Sequence, residues 1–185
     1  MVKERRPRAD AQRNRDRLLE VAMHAFATEG PDVSLEAIAR TAGVGIGTLY
    51  RHFPTRDALV EAVYRNEISR VSALAGEFRA SMAPETALRA WMTHFVAFMT
   101  TKHGMSDVFR AVIASGGNPY GETRILALDA VQSLIAAGAR AGTIRDDVSP
   151  LDILTILNGL SFATDDPEQT ARLIDLVIDG LRRRD

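Results

Sequence analysis

The sequence of 185 residues is first informative for what it lacks. It contains no cysteine, which excludes disulfide bonds and thiolate metal sites. It has no run of about eighteen apolar residues, so no helix is predicted to cross a membrane. Its charged start, MVKERRPRADAQRNRDR, is not followed by the apolar segment of a secretory signal. We therefore expect a cytoplasmic protein without a membrane partner.

Enzyme signatures are absent as well. The sequence has no GxSxG elbow, no Walker loop, no HExxH helix and no cysteine nucleophile. His94 and His103 are nine residues apart and fall on different helical faces, which makes them a poor metal-binding pair. We predict no catalytic residue, no metal and no cofactor. A helical enzyme is the remote alternative.

The charges are unevenly distributed along the chain. Residues 1–56 carry ten Lys or Arg against seven Asp or Glu, whereas residues 57–185 carry thirteen against seventeen. Seven of the ten cations lie before residue 18. A basic front and an acidic back favour contact of the front with a polyanion. The alternative is a charged tail that is only solvated.

Apolar residues recur with the helical period, and runs with strict alternation are absent, so we predict an all-α fold. Turn signals separate the segments. Gly30, expected in the left-handed conformation, ends the first helix with Pro31, and Ser34 is a good N-cap for the second. About nine helices result, over residues 11–29, 34–42, 46–53, 56–81, 84–102, 106–114 and 122–141, one that starts at 149–150, and one that starts at 166–167 and ends in the arginines 182–184.

The stretch GVGIGTLYRHFPTRDAL predicts a helix-turn-helix. Gly43-Val44-Gly45 joins two short helices, and a turn of three or four residues with a glycine is typical of this motif. Gly43 is expected to take a positive φ. The second helix of the motif buries Leu49 and Phe53, so its other residues are expected to face outward.

That outward face carries groups suited to a nucleic-acid duplex. Arg51 is the side chain able to pair bidentately with guanine, and the hydroxyl and imidazole groups beside it suit phosphate oxygens. Gly45 and Gly47 lack side chains, so this end of the helix is able to approach the groove closely. Tyr50 offers a hydroxyl for phosphate and a ring for a thymine methyl; partial burial against the next helix is its alternative.

At these residues the sequence resembles the tetracycline-repressor-like (TetR) family of bacterial transcription regulators. The resemblance spans roughly residues 13–65, about a third of the chain. It is carried by Phe26, Gly30, residues 34–39, residues 42–44, residues 47–50, His52, Phe53, Arg56 and Leu59.

The resemblance implies DNA contacts. Thr48, Tyr50 and His52 match family contact positions, and Arg56 falls where a phosphate-binding lysine is common. Ser34 lies where the second helix abuts the DNA backbone. The predicted DNA-binding residues are Ser34, Gly45, Ile46, Gly47, Thr48, Tyr50, Arg51, His52 and Arg56.

The basic N-terminal arm has two interpretations. Arg5, Arg6 and Arg8 are suited to entering a minor groove next to the helix-turn-helix. A disordered, solvated tail is the alternative.

The resemblance further implies two domains. Residues 1–55 are predicted to form a three-helix DNA-binding domain with its basic arm, and residues 56–185 a helical effector-binding and dimerisation domain. The last two helices each show more than one apolar strip, which favours a homodimer, with a monomer core as the alternative. The predicted dimerisation residues are Leu151, Leu154, Leu157, Leu173, Val177 and Leu181.

An effector pocket is harder to predict, because aromatic residues at helical spacing also build ordinary cores. A pocket lined by apolar and aromatic side chains would suit a small apolar or aromatic effector. The predicted effector residues are Trp91, His94, Phe95, Phe98, Met99, Phe109, Asn158 and Phe162, with Met105 and Tyr120 beside them.

The resulting prediction is a dimeric repressor that binds a palindromic operator in double-stranded DNA and is released by this effector. One alternative is an activator or an effector-independent regulator. Another is a nonspecific architectural DNA binder, which the acidic second half disfavours.

Overall fold

The computed structural model describes residues 5–118, 120 and 123–183, and of residues 5–9 the backbone alone. In this part of the chain there are nine α-helices and no β-strand, so the predicted all-α class is confirmed. The helices are α1 (Arg5–Glu29), α2 (Leu35–Thr41), α3 (Ile46–His52), α4 (Arg56–Ser81), α5 (Pro84–Gly104), α6 (Ser106–Ala114), α7 (Thr123–Arg140), α8 (Pro150–Ala163) and α9 (Pro167–Leu181).

Helix α1 begins six residues earlier than the sequence predicted, at Arg5 instead of residue 11. Pro7 does not prevent this, because a proline in the first helical turn has no intrahelical partner to lose. At the other end Gly30 adopts a φ of 78°, which confirms the predicted left-handed position. A short 3-10 turn, Gly30–Asp32, then leads toward α2.

Helix α9 ends earlier than predicted. The arginines 182–184 were expected inside its last turn, but the helix ends at Leu181 and Arg182 is extended; Arg184 lies outside the described residues. The Leu181 carbonyl accepts a hydrogen bond from the Arg145 N–H at 2.9 Å, and Ile144 and Arg182 form an isolated β-bridge. Backbone pairing with the segment after α7 therefore replaces the last helical turn.

The chain forms two compact units. The first consists of Met1–Asn66 and Gly104–Tyr120, and the second of Glu67–His103 and Gly121–Asp185. The boundary between these units after Asn66 lies inside α4, which begins at Arg56, so the first unit extends eleven residues past the predicted division at residue 55. The assignment of DNA binding to 1–55 and of effector binding and dimerisation to 56–185 stays a prediction.

Each unit has its own apolar core. In the first, Phe26 of α1 and Leu49 of α3 have no exposed surface, and in the second the same holds for Trp91 of α5 and Leu157 of α8. Leu49 and Phe53 were predicted to face inward and do so. The core of the first unit thus fixes α3 against α1 with one face buried, and the opposite face is left to solvent.

The segment that contains α6 belongs to the first unit. The Ser115 hydroxyl donates to an Asp57 carboxylate oxygen at 2.5 Å, and the Asn118 N–H donates to Glu61 Oε1 at 3.1 Å. Gly117 is the close-packed position in this turn, because an added Cβ would lie 2.6 Å from a Val112 methyl group. The first two turns of α4 are therefore tied to the end of α6.

Candidate nucleic-acid interface

The turn between α2 and α3 is a Schellman motif. The Gly43 N–H donates to the Arg40 carbonyl and the Val44 N–H to the Ala39 carbonyl, each at 3.0 Å. Gly43 takes a φ of 69°, which confirms its predicted positive value. The left-handed residue ends α2 and turns the chain toward α3, so the helix-turn-helix is specified by local hydrogen bonds.

The N-terminus of α2 is capped by Ser34, as predicted. Its Oγ accepts a hydrogen bond from the Ala37 N–H at 3.0 Å. Serine caps stabilise a helix by about 1 kcal/mol, so this hydroxyl has a structural role in the free protein. Ser34 is exposed, which also leaves this end of α2 accessible to a phosphate.

Packing within the protein does not require glycine at two positions at the start of α3. Gly45 is the N-cap and Gly47 lies in the first turn, and a Cβ added at either would have no neighbour within 4 Å. A helical glycine costs about 0.5–1 kcal/mol relative to alanine. Packing within the protein therefore does not explain this cost at Gly47.

The solvent-facing side of α3 contains the predicted contact residues. Ile46 is 37% exposed and Tyr50 is 44% exposed, so both side chains present part of their surface to solvent. Arg51 is exposed as well, whereas Thr48 and His52 are half-buried at the edges of this face. The structure brings these five side chains onto one short helix, next to the two open glycines.

Arg56, the predicted phosphate contact, is engaged within the protein. Its Nη1 donates to the Val33 carbonyl at 2.7 Å, its Nη2 donates to the Pro31 carbonyl, and its guanidinium lies 5.0 Å above the Phe26 ring centroid. The side chain ties the start of α4 to the segment that precedes α2. The sequence alone did not reveal this, because the partners are backbone carbonyls more than twenty residues away. The phosphate contact stays a prediction.

The backbone of the basic arm is helical from Arg5, which differs from the disordered tail, whereas its entry into a minor groove stays a prediction. Its first described residues form the first turns of α1, while residues 1–4 and the side chains of Arg5, Arg6 and Arg8 lie outside the described set. An α-helix is about 10–12 Å wide and the minor groove about 6 Å. Entry of the arm into that groove would therefore require this part of α1 to unwind.

The predicted effector residues of α5 form a packed aromatic cluster. Trp91 has no exposed surface, its Nε1–H donates to the Val71 carbonyl at 2.9 Å, and its ring stacks on Phe95 with centroids 5.2 Å apart. Phe98 meets Phe95 edge-on, and Met99 is buried beside them. In this conformation the cluster is core, and Trp91 offers no free hydrogen-bonding group.

The other predicted effector residues lie apart from this cluster. His94 is exposed and packs on Phe78, Asn158 is half-buried, and the Phe162 ring, 69% exposed, stacks on His103 with centroids 3.5 Å apart. Burial lowers the pKa of His103, partly opposed by its hydrogen bond to the Ser161 carbonyl. In the first unit, Phe109 is buried and packs on Tyr64 and Tyr120, and Met105 is also buried.

The predicted dimerisation residues divide by burial. Leu154, Leu157 and Leu181 are buried within the protomer and have almost no surface left to lose in a dimer. Leu151 is exposed, and Leu173 and Val177 are half-buried. The large exposed apolar side chains of α8 and α9 are Leu151, Ile156, Phe162 and Leu176. The sequence did not separate these from the core set because both faces of each helix are apolar.

The described part of the chain offers neither a candidate metal site nor a candidate membrane span. Among the described residues there is no group of three or more His, Cys, Asp or Glu side chains that could hold a metal ion. In the same residues, no helix combines the length and apolarity that a membrane span requires.

Comparison with protein families gives matches to both parts of the chain. Residues 18–63 match the family described as bacterial regulatory proteins, tetR family. Residues 83–183, more than half of the chain, match the family described as transcriptional regulator SbtR-like, C-terminal domain.

Individual relatives agree with these matches. An HTH-type transcriptional regulator of Staphylococcus aureus (strain USA300) is 40% identical over 62 residues, which are 33% of this chain and 34% of that protein. The chain thus matches about a third of the length of such curated relatives. The TetR transcriptional regulator SCO0520 of Streptomyces coelicolor is 48% identical, with a TM-score of 0.86 over 92% of this chain and 99% of that one. A TetR transcription regulatory protein of Mycobacterium vanbaalenii is 37% identical, with a TM-score of 0.79 over 95% and 99%.

Proposed function

Because this chain belongs to the TetR family of DNA-binding transcriptional regulators, we propose that it is a dimeric repressor of a palindromic operator. In this proposal α3 enters the major groove, and a small apolar or aromatic effector releases the protein from DNA in the cytoplasm. The family is one of regulators, which sets the enzyme alternative aside.

The observation that carries the proposal is the open space at Gly45 and Gly47. Both positions are glycine although a Cβ at either would touch no protein atom. A duplex that lies against this end of α3 supplies the missing contact, because only glycine lets the backbone and its free N–H groups come that close. Arg51 and Tyr50, exposed on the same helix, then lie within reach of base edges and phosphates.

A homodimer is supported by apolar surface on the last two helices. Ile156 and Leu176 are 43% and 67% exposed. Leu151 and Phe162 are further large apolar side chains that are exposed on these helices. A two-fold interface would bury these side chains, each at a gain of up to about 1.5–3 kcal/mol.

An apolar effector is supported by the chemistry of the second unit. Its buried side chains are almost all apolar, and its buried carboxylate, Glu67, is paired with Arg70. A route from effector to DNA is supported by the ties of Asp57 and Glu61 to the segment after α6, since that segment continues into α7. A change at the end of α6 would then act on the start of α4.

The proposal is tested by incubating the protein with fragmented genomic DNA and excess nonspecific competitor at fixed salt, and sequencing what stays bound. Salt is fixed because phosphate contacts make affinity steeply salt-dependent. One enriched inverted repeat supports a specific dimeric regulator, and transcription from a reporter with that repeat separates repressor from activator. Broad recovery without a shared motif would instead indicate an architectural DNA binder.

Gly47→Ala is predicted to stabilise the free protein while weakening operator binding. The unfolding free energy should rise by up to about 1 kcal/mol, because alanine is the better helix former. Operator affinity should fall about tenfold, or about 1.4 kcal/mol, because the added methyl group keeps α3 away from the duplex. Thermal unfolding and fluorescence polarisation measure the two effects.

Gly76→Ala provides the matched control. Gly76 lies in α4 and also has no neighbour within 4 Å of an added Cβ, so this variant should gain stability with unchanged DNA affinity. If Gly47→Ala binds the operator as tightly as the parent, close approach at α3 is not the reason for the glycine.

Arg51→Ala is predicted to relax sequence preference at a single base pair. Loss of a bidentate contact to guanine should reduce discrimination there by about 1–3 kcal/mol and leave other positions unchanged. Binding to a library of single-base operator variants measures this. Uniform weakening across the library would show that Arg51 contacts phosphate instead of a base.

A further inference from the structure

Two arginines of α1 reach the helix-turn-helix at the two ends of α3. The Arg15 guanidinium lies 5.5 Å above the centroid of the Phe53 ring, and Phe53 is the C-cap of α3. The Arg17 guanidinium lies beside Gly43, two residues before the N-cap of α3. Neither position belongs to the contact set that the sequence predicted.

The Arg17 guanidinium lies face-on against the turn. Its Nη1, Cζ and Nη2 atoms are 3.7, 3.8 and 3.8 Å from the position that a Cβ of Gly43 would take. Near-equal distances from three atoms of one plane place that position above the face of the guanidinium. The N–H donors radiate from the edge of that plane, so packing against Gly43 does not use them.

Both guanidinium groups lack a carboxylate partner among the described residues, as no ion pair to Arg15 or Arg17 is formed there. Other arginines of the first unit are paired, such as Arg13 with Asp10 and Arg110 with Asp107. An arginine whose guanidinium packs against the protein, and which has no carboxylate partner, loses less conformational entropy when it binds an anion.

We propose that Arg15 and Arg17 bind backbone phosphates of the DNA beside the two ends of α3. The inference rests on the proposed binding of α3 in the major groove, which brings both ends of that helix to the duplex. Arg17 then contacts a phosphate next to the turn, and Arg15 one next to Phe53. Such contacts position the protein on the duplex and carry no sequence information.

Phosphate binding by Arg17 should change how steeply DNA affinity falls with salt. Each phosphate contact contributes about 0.9 to the slope of log affinity against log salt concentration. A dimer has two copies of Arg17, so Arg17→Ala should make the slope shallower by about two units. The ratio of parent to variant affinity should accordingly shrink about tenfold between about 50 and 200 mM salt. The loss should be the same on an operator duplex and on a scrambled duplex of equal composition.

The experiment titrates both duplexes by fluorescence polarisation across this salt range, with the operator taken from the genomic selection. Arg17→Ala, Arg17→Lys and Arg15→Lys are compared with Arg110→Ala as the control for lost surface charge. We expect Arg17→Ala to fold with unchanged thermal stability and a shallower slope. Arg17→Lys should recover most of the slope, because a lysine ammonium is also able to bind phosphate.

A slope that Arg17→Ala leaves unchanged, or one that Arg17→Lys fails to recover, overturns the assignment for Arg17. Arg15→Ala, titrated alongside, should also make the slope shallower by about two units, and an unchanged slope in it overturns the assignment for Arg15. Arg15→Lys should keep the parental slope while losing some thermal stability, since lysine stacks less well on Phe53. An equally shallow slope in Arg110→Ala would attribute the effect to net charge and also overturn the proposal. If the parent protein binds neither duplex, the proposed function fails first and this inference fails with it.

Discussion

A chain that carries both Ile156→Glu and Leu176→Glu is expected to sediment as a monomer and to lose at least about a hundredfold in operator affinity. Both side chains are large, apolar and exposed on the last two helices. A carboxylate placed in an apolar interface loses its hydration without gaining a partner, so association becomes unfavourable. A monomer also loses the effective concentration that links the two half-sites of a palindrome.

Sedimentation equilibrium gives the mass, and polarisation titrations with a full palindrome and a half-site give the affinities. Ile125→Glu is the matched control, because Ile125 is 59% exposed but lies on α7. It should leave both mass and affinity unchanged. A double variant that keeps the dimeric mass would place the interface elsewhere, and a parent that is already monomeric would reject the dimer itself.

Arg56→Ala is expected to lower the unfolding free energy by about 2–4 kcal/mol. Two hydrogen bonds from a charged group are worth about 3–6 kcal/mol, and the lower figure applies because Arg56 is half-buried. The variant loses two of them, to the Val33 and Pro31 carbonyls, and the contact with Phe26. The segment before α2 should loosen with it. Chemical denaturation measures the stability, and amide exchange of residues 30–35 measures the loosening.

Arg65→Ala, at an exposed position of the same helix, is the control and should change stability little. The comparison also decides between two roles of Arg56. If Arg56 only contacts phosphate, Arg56→Ala should make DNA binding less salt-dependent and leave the unfolding free energy unchanged. Loss of stability shows that the side chain organises the domain before DNA arrives.

The helix-turn-helix could be predicted from the sequence because its determinants are local. Ser34 caps its own helix three residues on, and the Gly43 turn is closed by hydrogen bonds within five residues. The inward face of α3 follows from the spacing of Leu49 and Phe53. Signals of this kind are present in any short window of the chain.

Most of the features that the sequence missed depend on distant partners. Arg56 pairs with carbonyls more than twenty residues away, and α9 stops at Leu181 because Arg145 takes its carbonyl. In α8, Ile156 and Leu157 are adjacent aliphatic residues of similar size. Leu157 is buried and Ile156 is exposed only because of where the neighbouring helices pack. Periodicity identifies an apolar helix, but it does not say which apolar strip the protomer covers.

The placement of Trp91 makes it an intrinsic fluorescence probe of the second unit. It is the single tryptophan of the chain, fully enclosed by apolar neighbours and hydrogen-bonded to Val71. Indole fluorescence therefore arises from the second unit alone, and at shorter wavelength than from a hydrated ring. Repacking of the aromatic cluster around a small molecule would change this emission without any label, whereas the helices of the helix-turn-helix contain no indole to contribute to the signal.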